Sequence, residues 1–351
     1  MNDRIAIALD AMGGDRAPDV VIKGASIALQ RYPQAEFLLF GVESRIAPLL
    51  AKLPRLAARA RILHTDVVIT GDAKPSIALR TGRGSSMRLA IDAVANHEAD
   101  CVVSAGNTGA LMAMAKFALR MLPGLDRPAM ASFFPTRRGE SVMLDLGANV
   151  ECDAENLTQF ALMGEVFART VLGLQQPTVG LLNVGSEEMK GNEAVRGAAL
   201  RLRAPGTPIA FHGFVEGDDI AAGTVDVVVT DGFTGNIAVK TAEGTARLFS
   251  EFLRGAFQHS LTTRIGYIFA RRALGKLREK LDPRRYNGAV FLGLDGICVK
   301  SHGGSDALGF ANAIGVAVDM KVNGFLDQIR NGLARMSAVP PPQDKPKSAA
   351  V

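Results

Sequence analysis

Five apolar runs end in short polar, glycine-rich stretches: LDAMGGD at 9–15, SAGNTG at 104–109, LDLGANV at 144–150, LNVGSEEMKGNE at 182–193 and TDGFTGN at 230–236. A sixth run ends in KSHGGSD at 300–306. Carboxamides, hydroxyls and the backbone N–H groups that glycine leaves accessible suit an anionic or carbonyl-containing substrate. The candidate binding residues are Asp10, Gly13, Gly14 and Asp15; Gly106, Asn107 and Thr108; Gly147 and Asn149; Gly191 and Asn192; and Asp231, Gly232, Thr234 and Gly235. Lys190, Asn236 and His302 stand in the same stretches and offer a cation, an amide and an imidazole. Strand carboxyl ends of an open parallel sheet share one edge, so the five stretches are expected to line one cleft. The first is ambiguous by itself. A glycine turn between strand and helix suggests phosphate, yet Asp10 and Asp15 repel a polyanion unless cations offset them. The alternative is that Gly13 and Gly14 bend the backbone at the cleft floor while the two acids accept hydrogen bonds.

The elements that must position these residues follow from hydrophobic patterning. Strand-like runs at Ile5–Leu9, Glu36–Phe40, Arg61–His64, Cys101–Ser104, Ala129–Phe134, Ser141–Leu146, Thr178–Asn183, Ile209–His212, Val225–Thr230 and Gly296–Lys300 mostly alternate with helical patterns. Such alternation indicates right-handed βαβ units and a mostly parallel sheet. The 351 residues, 48% of them hydrophobic, are ample for a large core. The expected organisation is a single α/β/α catalytic domain over 1–339, a basic amphipathic helical hairpin inserted at about 254–285, and a disordered tail over 340–351. The stretch KPSIALRTGRGSS, with Arg80, reads as a loop that can cover the cleft.

Several chemistries lack their motifs. There is no GxxxxGK[ST], no GxGxxG directly after a strand, no HExxH or zinc-ligand spacing and no GxSxG elbow. Neither a metal nor a cofactor is indicated. The three cysteines form no CxxC pair. Cys101 and Cys298 lie in apolar runs as small hydrophobes, and Cys152 follows a loop with no evident base partner. Met1 leads straight into a strand without a secretory signal, and no apolar run approaches the ~20 residues of a membrane span. A cytoplasmic protein is the expectation.

In this order and register, LDAMGGD, SAGNTGALM, LDLGANV, LNVGSE with KGNE, and DGFTGN resemble the bacterial phosphate acyltransferases, which make acyl-phosphate from acyl-acyl carrier protein. The resemblance runs from Ile5 to about Val318. It implies a Rossmann-like α/β/α fold related to isocitrate/isopropylmalate dehydrogenases and phosphotransacetylases. It also implies a homodimer whose product passes to a membrane glycerol-3-phosphate acyltransferase. In the implied reaction inorganic phosphate attacks a thioester, an oxyanion forms and a thiolate leaves. Phosphate is already anionic and the thiolate leaves readily, so positioning and charge stabilisation matter more than a strong base. Lys190 suits the anion, Asn236 can donate to the oxyanion, and Asn107 or Asn149 can orient the substrate. Each residue also has a plainer reading: Lys190 as an exposed lysine at a helix start, the asparagines as caps or turns, His302 as satisfied by backbone.

The net charge of +5 is unevenly spread. Residues 254–285 hold nine bases against two acids, a local +7 that leaves the rest of the chain at −2. Phe257, Leu261, Ile265, Ile268 and Phe269 fall on one helical stripe, and Leu274, Leu277 and Leu281 on another pointing roughly the opposite way. Two short helices are expected, broken near Gly266 or Arg271-Arg272. Bases beside apolar faces suit an anionic membrane surface or an acidic partner such as acyl carrier protein, and a dimer contact is the alternative. Nucleic acid is not expected. Peripheral attachment to the inner face of the membrane follows from the lipid reading. Two other functions fit less well: a coenzyme A-dependent phosphotransacetylase, and a non-catalytic membrane scaffold for lipid enzymes.

Overall fold

The protein is described by a computed structural model covering residues 4–280, 282 and 284–338. The chain runs β1 (Ile5–Asp10), α1 (Asp19–Arg31), β2 (Ala35–Gly41), α2 (Glu43–Leu50), α3 (Pro54–Ala57), β3 (Ala60–His64), α4 (Pro75–Thr81), α5 (Ser86–Ala95), β4 (Cys101–Ser104) and α6 (Thr108–Leu119). The strands β5 (Ala129–Thr136) and β6 (Gly139–Leu144) follow directly on one another. Next come α7 (Ala154–Val171), β7 (Thr178–Leu182), α8 (Glu193–Leu202), β8 (Ala210–Val215), α9 (Gly217–Ala222) and β9 (Val227–Val229). Two long helices, α10 (Gly232–Gln258) and α11 (Leu261–Lys280), precede β10 (Ala289–Leu292), β11 (Ile297–Lys300), α12 (Ala307–Val322) and α13 (Phe325–Ser337).

The strands form one eleven-stranded sheet in the order β3-β2-β1-β4-β11-β10-β5-β6-β9-β7-β8. Alternate residues of a strand face opposite layers. Ile7 and Leu9 accordingly pack with α1 and α12 residues such as Ile22 and Phe310, while Ala8 packs with Ala90 and Ile91 of α5. The first layer runs under both halves of the sheet, because α7 carries Phe160 and Phe167 against Leu144 and Val229. This is an α/β/α architecture with a large, mostly parallel sheet.

The direction of the strands is where expectation and structure part. Strands β3, β2, β1, β4 and β11 are mutually parallel, and so are β6, β9, β7 and β8. Between them, the pairings β11–β10, β10–β5 and β5–β6 are all antiparallel. Three reversals point the two parallel blocks in opposite directions. The link from β5 to β6 is only Arg137 and Arg138, too short for a parallel crossover.

Two other expectations change. The stretch expected as a covering loop contains α4, and Ser86 at its end donates to Asp10 (2.7 Å). In the basic segment, α11 is one helix through Gly266 and Arg271-Arg272, and the chain breaks earlier, at His259–Ser260. One glycine costs a helix only ~1 kcal/mol, too little to end it among good helix formers. Ser260, by contrast, begins a helix: its Oγ accepts from Thr263 N (3.2 Å), and Thr263 Oγ1 accepts from Ser260 N (3.0 Å). Phe257 packs on Tyr267 across the break, with ring centroids 5.5 Å apart. Ile265, Ile268 and Phe269 are exposed, as are Arg271 and Arg272. The side chains of Leu261, Leu277 and Leu281, and the tail over 340–351, lie outside the described residues. Among the described residues no helix is long and apolar enough to cross a membrane.

Candidate active site

Strands β6, β9 and β7 end side by side, with Leu144 and Leu181 flanking Val229. Their loops therefore form one edge and hold Gly147, Asn149, Lys190, Gly191, Asn192 and Asp231 to Asn236. The centre is Asp145. Its buried carboxylate accepts from Met130 N (2.9 Å), Gly147 N (3.2 Å), Ala148 N (3.0 Å), Asn149 N (2.7 Å) and Asn149 Nδ2 (2.8 Å). Burial pushes this carboxyl above the usual range, and the N–H donors pull it back. Asn149 spends its amide on Asp145 and on the Pro128 carbonyl (2.7 Å), so it fixes the loop and does not reach outward. Its carbonyl accepts from Gly232 N (2.7 Å) and seats the start of α10. A Cβ on Gly235 would run into the Asp145 carbonyl oxygen, so only glycine allows the helix this close.

Asp231 caps α10: Oδ1 accepts from Thr234 N (2.8 Å) and Oδ2 from Thr234 Oγ1 (3.0 Å). Asn236, one turn on, is exposed beside Gly147. After β7, Asn183 donates to the carbonyls of Gly185 (3.0 Å) and Lys190 (3.2 Å), which folds 183–190 into a closed loop. Gly191 completes it at φ +93°, and Asn192 caps α8 through Val195 N (2.9 Å). Lys190 is left exposed, its Nζ 3.4 Å from a Glu187 carboxylate oxygen. An exposed pair of this kind is weak, so the ammonium can turn to a bound anion.

Strands β1, β4 and β11 end side by side on the opposite edge. Asp10, 1% exposed, accepts from Ser86 Oγ (2.7 Å) and Ser104 Oγ (2.7 Å), and burial pushes its carboxyl up. A Cβ on Gly13 would lie 2.5 Å from Asp10 Oδ2, so the turn closes only with glycine there. Gly14 has φ +100°. Gly106 N donates to Ser104 Oγ (3.0 Å). Asp15 N donates to the Gly303 carbonyl (3.0 Å), tying the first turn to the last. Asn107 caps α6 through Ala110 N (2.8 Å) and donates to the carbonyls of Gly71 (2.7 Å) and Ala73 (3.2 Å). Thr108 opens that helix and is exposed. His302 accepts from Gly304 N (3.1 Å) at Nδ1, the backbone-satisfied arrangement.

The expected single cleft is thus two groups of loops within one chain. β10 and β5 stand between β11 and β6, so even the nearest strand ends are ~14 Å apart sideways, besides the strand length between the two edges. The motif residues are gathered three loops at a time, not five.

Lys300 escaped the sequence reading. It ends β11, is 8% exposed, and donates from Nζ to the Ser301 carbonyl. Desolvation lowers its pKa to about 8, opposed by Asp10 and Asp15. It is the cation that a turn edged by two acids needs. The one signal in the sequence is a lysine closing the apolar run ICVK.

An α/β/α fold with glycine-rich loops at its strand ends, an exposed cation and an exposed amide defines an enzyme scaffold for anionic substrates. Comparison with known proteins makes this specific. Residues 5–328 match a family described as "Fatty acid synthesis protein". A phosphate acyltransferase of Rhodospirillum centenum is 68% identical over 96% of this chain and 95% of its own length. One from Paramagnetospirillum magneticum is 60% identical over 96% of both. The chain belongs to this family and is an acyltransferase. A solved phosphotransacetylase from Streptococcus pyogenes shares the fold, with a TM-score of 0.59, 18% identity and coverage of 91% of this chain and 94% of that one.

Proposed function

We infer that the chain transfers a fatty acyl group from acyl-acyl carrier protein to inorganic phosphate, giving acyl-phosphate for phospholipid synthesis. The observation that carries this reading is the β6–β9–β7 edge, with Lys190 on the loop closed by Asn183 and Asn236 in the opening turns of α10 beside the loop fixed by Asp145. Lys190 draws the phosphate dianion to the edge. Asn236 donates to the thioester oxygen as it becomes an oxyanion, a contact that strengthens in the transition state. Phosphate oxygen forms the new bond to the acyl carbon, and the C–S bond breaks with the thiolate leaving. Direct transfer agrees with the cysteines: burial pushes the Cys152 and Cys298 thiols up to about 12 and raises that of Cys101 further.

The catalytic unit is taken as a single domain over 1–339, with α11 and the end of α10 as a basic arm that touches anionic lipid. Exposed Phe252 on α10, and exposed Ile268 and Phe269 next to Arg271 and Arg272 on α11, support that contact. It places the enzyme in the cytoplasm at the inner membrane face, where a membrane glycerol-3-phosphate acyltransferase can receive the product. A homodimer belongs to the same reading, since only a second copy can bring the β1–β4–β11 edge to a substrate held by Lys190. Sedimentation equilibrium should return twice the chain mass, and a monomer with full turnover contradicts the dimer.

Thiol release from palmitoyl-acyl carrier protein, followed with and without inorganic phosphate, tests the reaction. Saturable, phosphate-dependent release is expected. Release without phosphate overturns the reading, and release from acyl-coenzyme A alone transfers it to a phosphotransacetylase.

A further inference from the structure

Between the end of β7 and the opening turns of α10 lies a groove of about 370 Å³ that the chemistry above does not use. Its walls come from three places: the end of β7 with Leu182 and Asn183, α9 with Gly217 and Ile220, and the opening turns of α10 with Phe233, Thr234, Ile237 and Ala238. The apolar side chains gather along its length, and only Asn183 and Thr234 are polar. Its base is fixed, because Ile220 belongs to a buried cluster with Val215, Val225 and Val228, and Leu182 and Ala238 pack against it. Its lip is not covered, with Phe233 61% and Ile237 49% exposed.

We propose that this groove holds the acyl chain of the thioester, with Ile237 and Phe233 setting the preference for long chains. The proposal deepens the acyl transfer reading above and rests on it. Continuity argues for this occupant. Asn183 lines the groove and donates to the Lys190 carbonyl (3.2 Å), so its polar end opens onto the loop that carries the cation. Phe233 precedes Asn236 by about one turn of α10, on the same side of the helix, so a carbonyl held by that amide can send its aliphatic tail into the groove. A saturated chain offers no hydrogen bond, and the groove asks for almost none. The volume lies in the ~300–1,000 Å³ range of small-molecule sites, enough for one flexible chain and too small for a folded partner.

The test uses the full-length protein and carrier-protein thioesters of four, eight, twelve and sixteen carbons. Ile237→Trp narrows the lip and Ile237→Ser removes its apolar contact; both change an exposed position and should leave melting unchanged. For each variant kcat/KM with the sixteen-carbon donor should fall roughly 10-fold or more, while the four-carbon donor stays within about 2-fold, the discrimination that a few methylenes provide in an apolar pocket. Equal loss at every length, or no loss at sixteen carbons, overturns the proposal. A change in sedimenting mass in either variant also overturns it, assigning the groove to a second copy. Wild-type protein inactive with every donor defeats the underlying reading instead, and so separates the two failures.

Discussion

Replacing Lys300 with methionine should make the protein more stable at neutral pH. The side chain is 8% exposed and its ammonium is only partly compensated by Ser301, Asp10 and Asp15. Its pKa falls from 10.5 to about 8. At ~1.36 kcal/mol per unit this is on the order of 3 kcal/mol of cost to the folded state. The folded pKa lies below the unfolded one, so the unfolded chain binds more protons between the two values. The cost is therefore fully present below pH 8 and disappears as pH rises towards 10.5. Methionine matches the length without the charge and gives up one hydrogen bond worth ~1 kcal/mol, leaving a net gain of about 2 kcal/mol. Urea titrations of both proteins at pH 7 and pH 10.5 read this directly, since every other group cancels in the difference. A Lys300→Met midpoint above wild type at pH 7, converging at pH 10.5, is expected. A variant less stable at pH 7, or a gap that does not move with pH, refutes the view that desolvation outweighs the two aspartates. Turnover should fall in the same variant, because the β1–β4–β11 edge then loses the cation that offsets the charge of Asp10 and Asp15.

Lys190→Ala should lower kcat/KM by about 100-fold or more with an unchanged melting temperature, as loss of an oriented charge at the reacting group does; steady-state kinetics and calorimetry check both halves. Asp145→Asn should cost ~1–3 kcal/mol in urea unfolding, because it sets a buried amide NH2 against a ring of N–H donors arranged for a carboxylate. Phe269→Glu, at a position 84% exposed on α11, should abolish flotation with anionic vesicles without changing turnover on soluble donors.

How far the sequence carried differed from level to level. The motifs lie at strand ends as read, because glycine turns and apolar runs are local signals. Strand direction is not local. β10 is four residues, AVFL, with no helix between it and β11, and it reverses the sheet. One reversal was legible all the same, since the six residues between the strand-like runs Ala129–Phe134 and Ser141–Leu146 are too few for a parallel crossover. Lys300 was hidden for another reason: whether a lysine ending a strand faces water or core depends on what packs over it. The same limit applies to the asparagines, since Asn107, Asn149 and Asn192 are capping or loop-fixing residues, whereas Asn236 is an exposed residue one turn into α10. For α11, stripe directions suggested a break, but Ser260 and Thr263 set the start of the helix and Gly266 does not end it.

Acyl transfer to phosphate can be followed by incubating the protein with palmitoyl-acyl carrier protein and radiolabelled inorganic phosphate. Label is expected in a lipid-soluble product that hydroxylamine destroys with release of palmitoyl hydroxamate, with little such product from Lys190→Ala. Free palmitate with all label left in inorganic phosphate would contradict acyl transfer to phosphate.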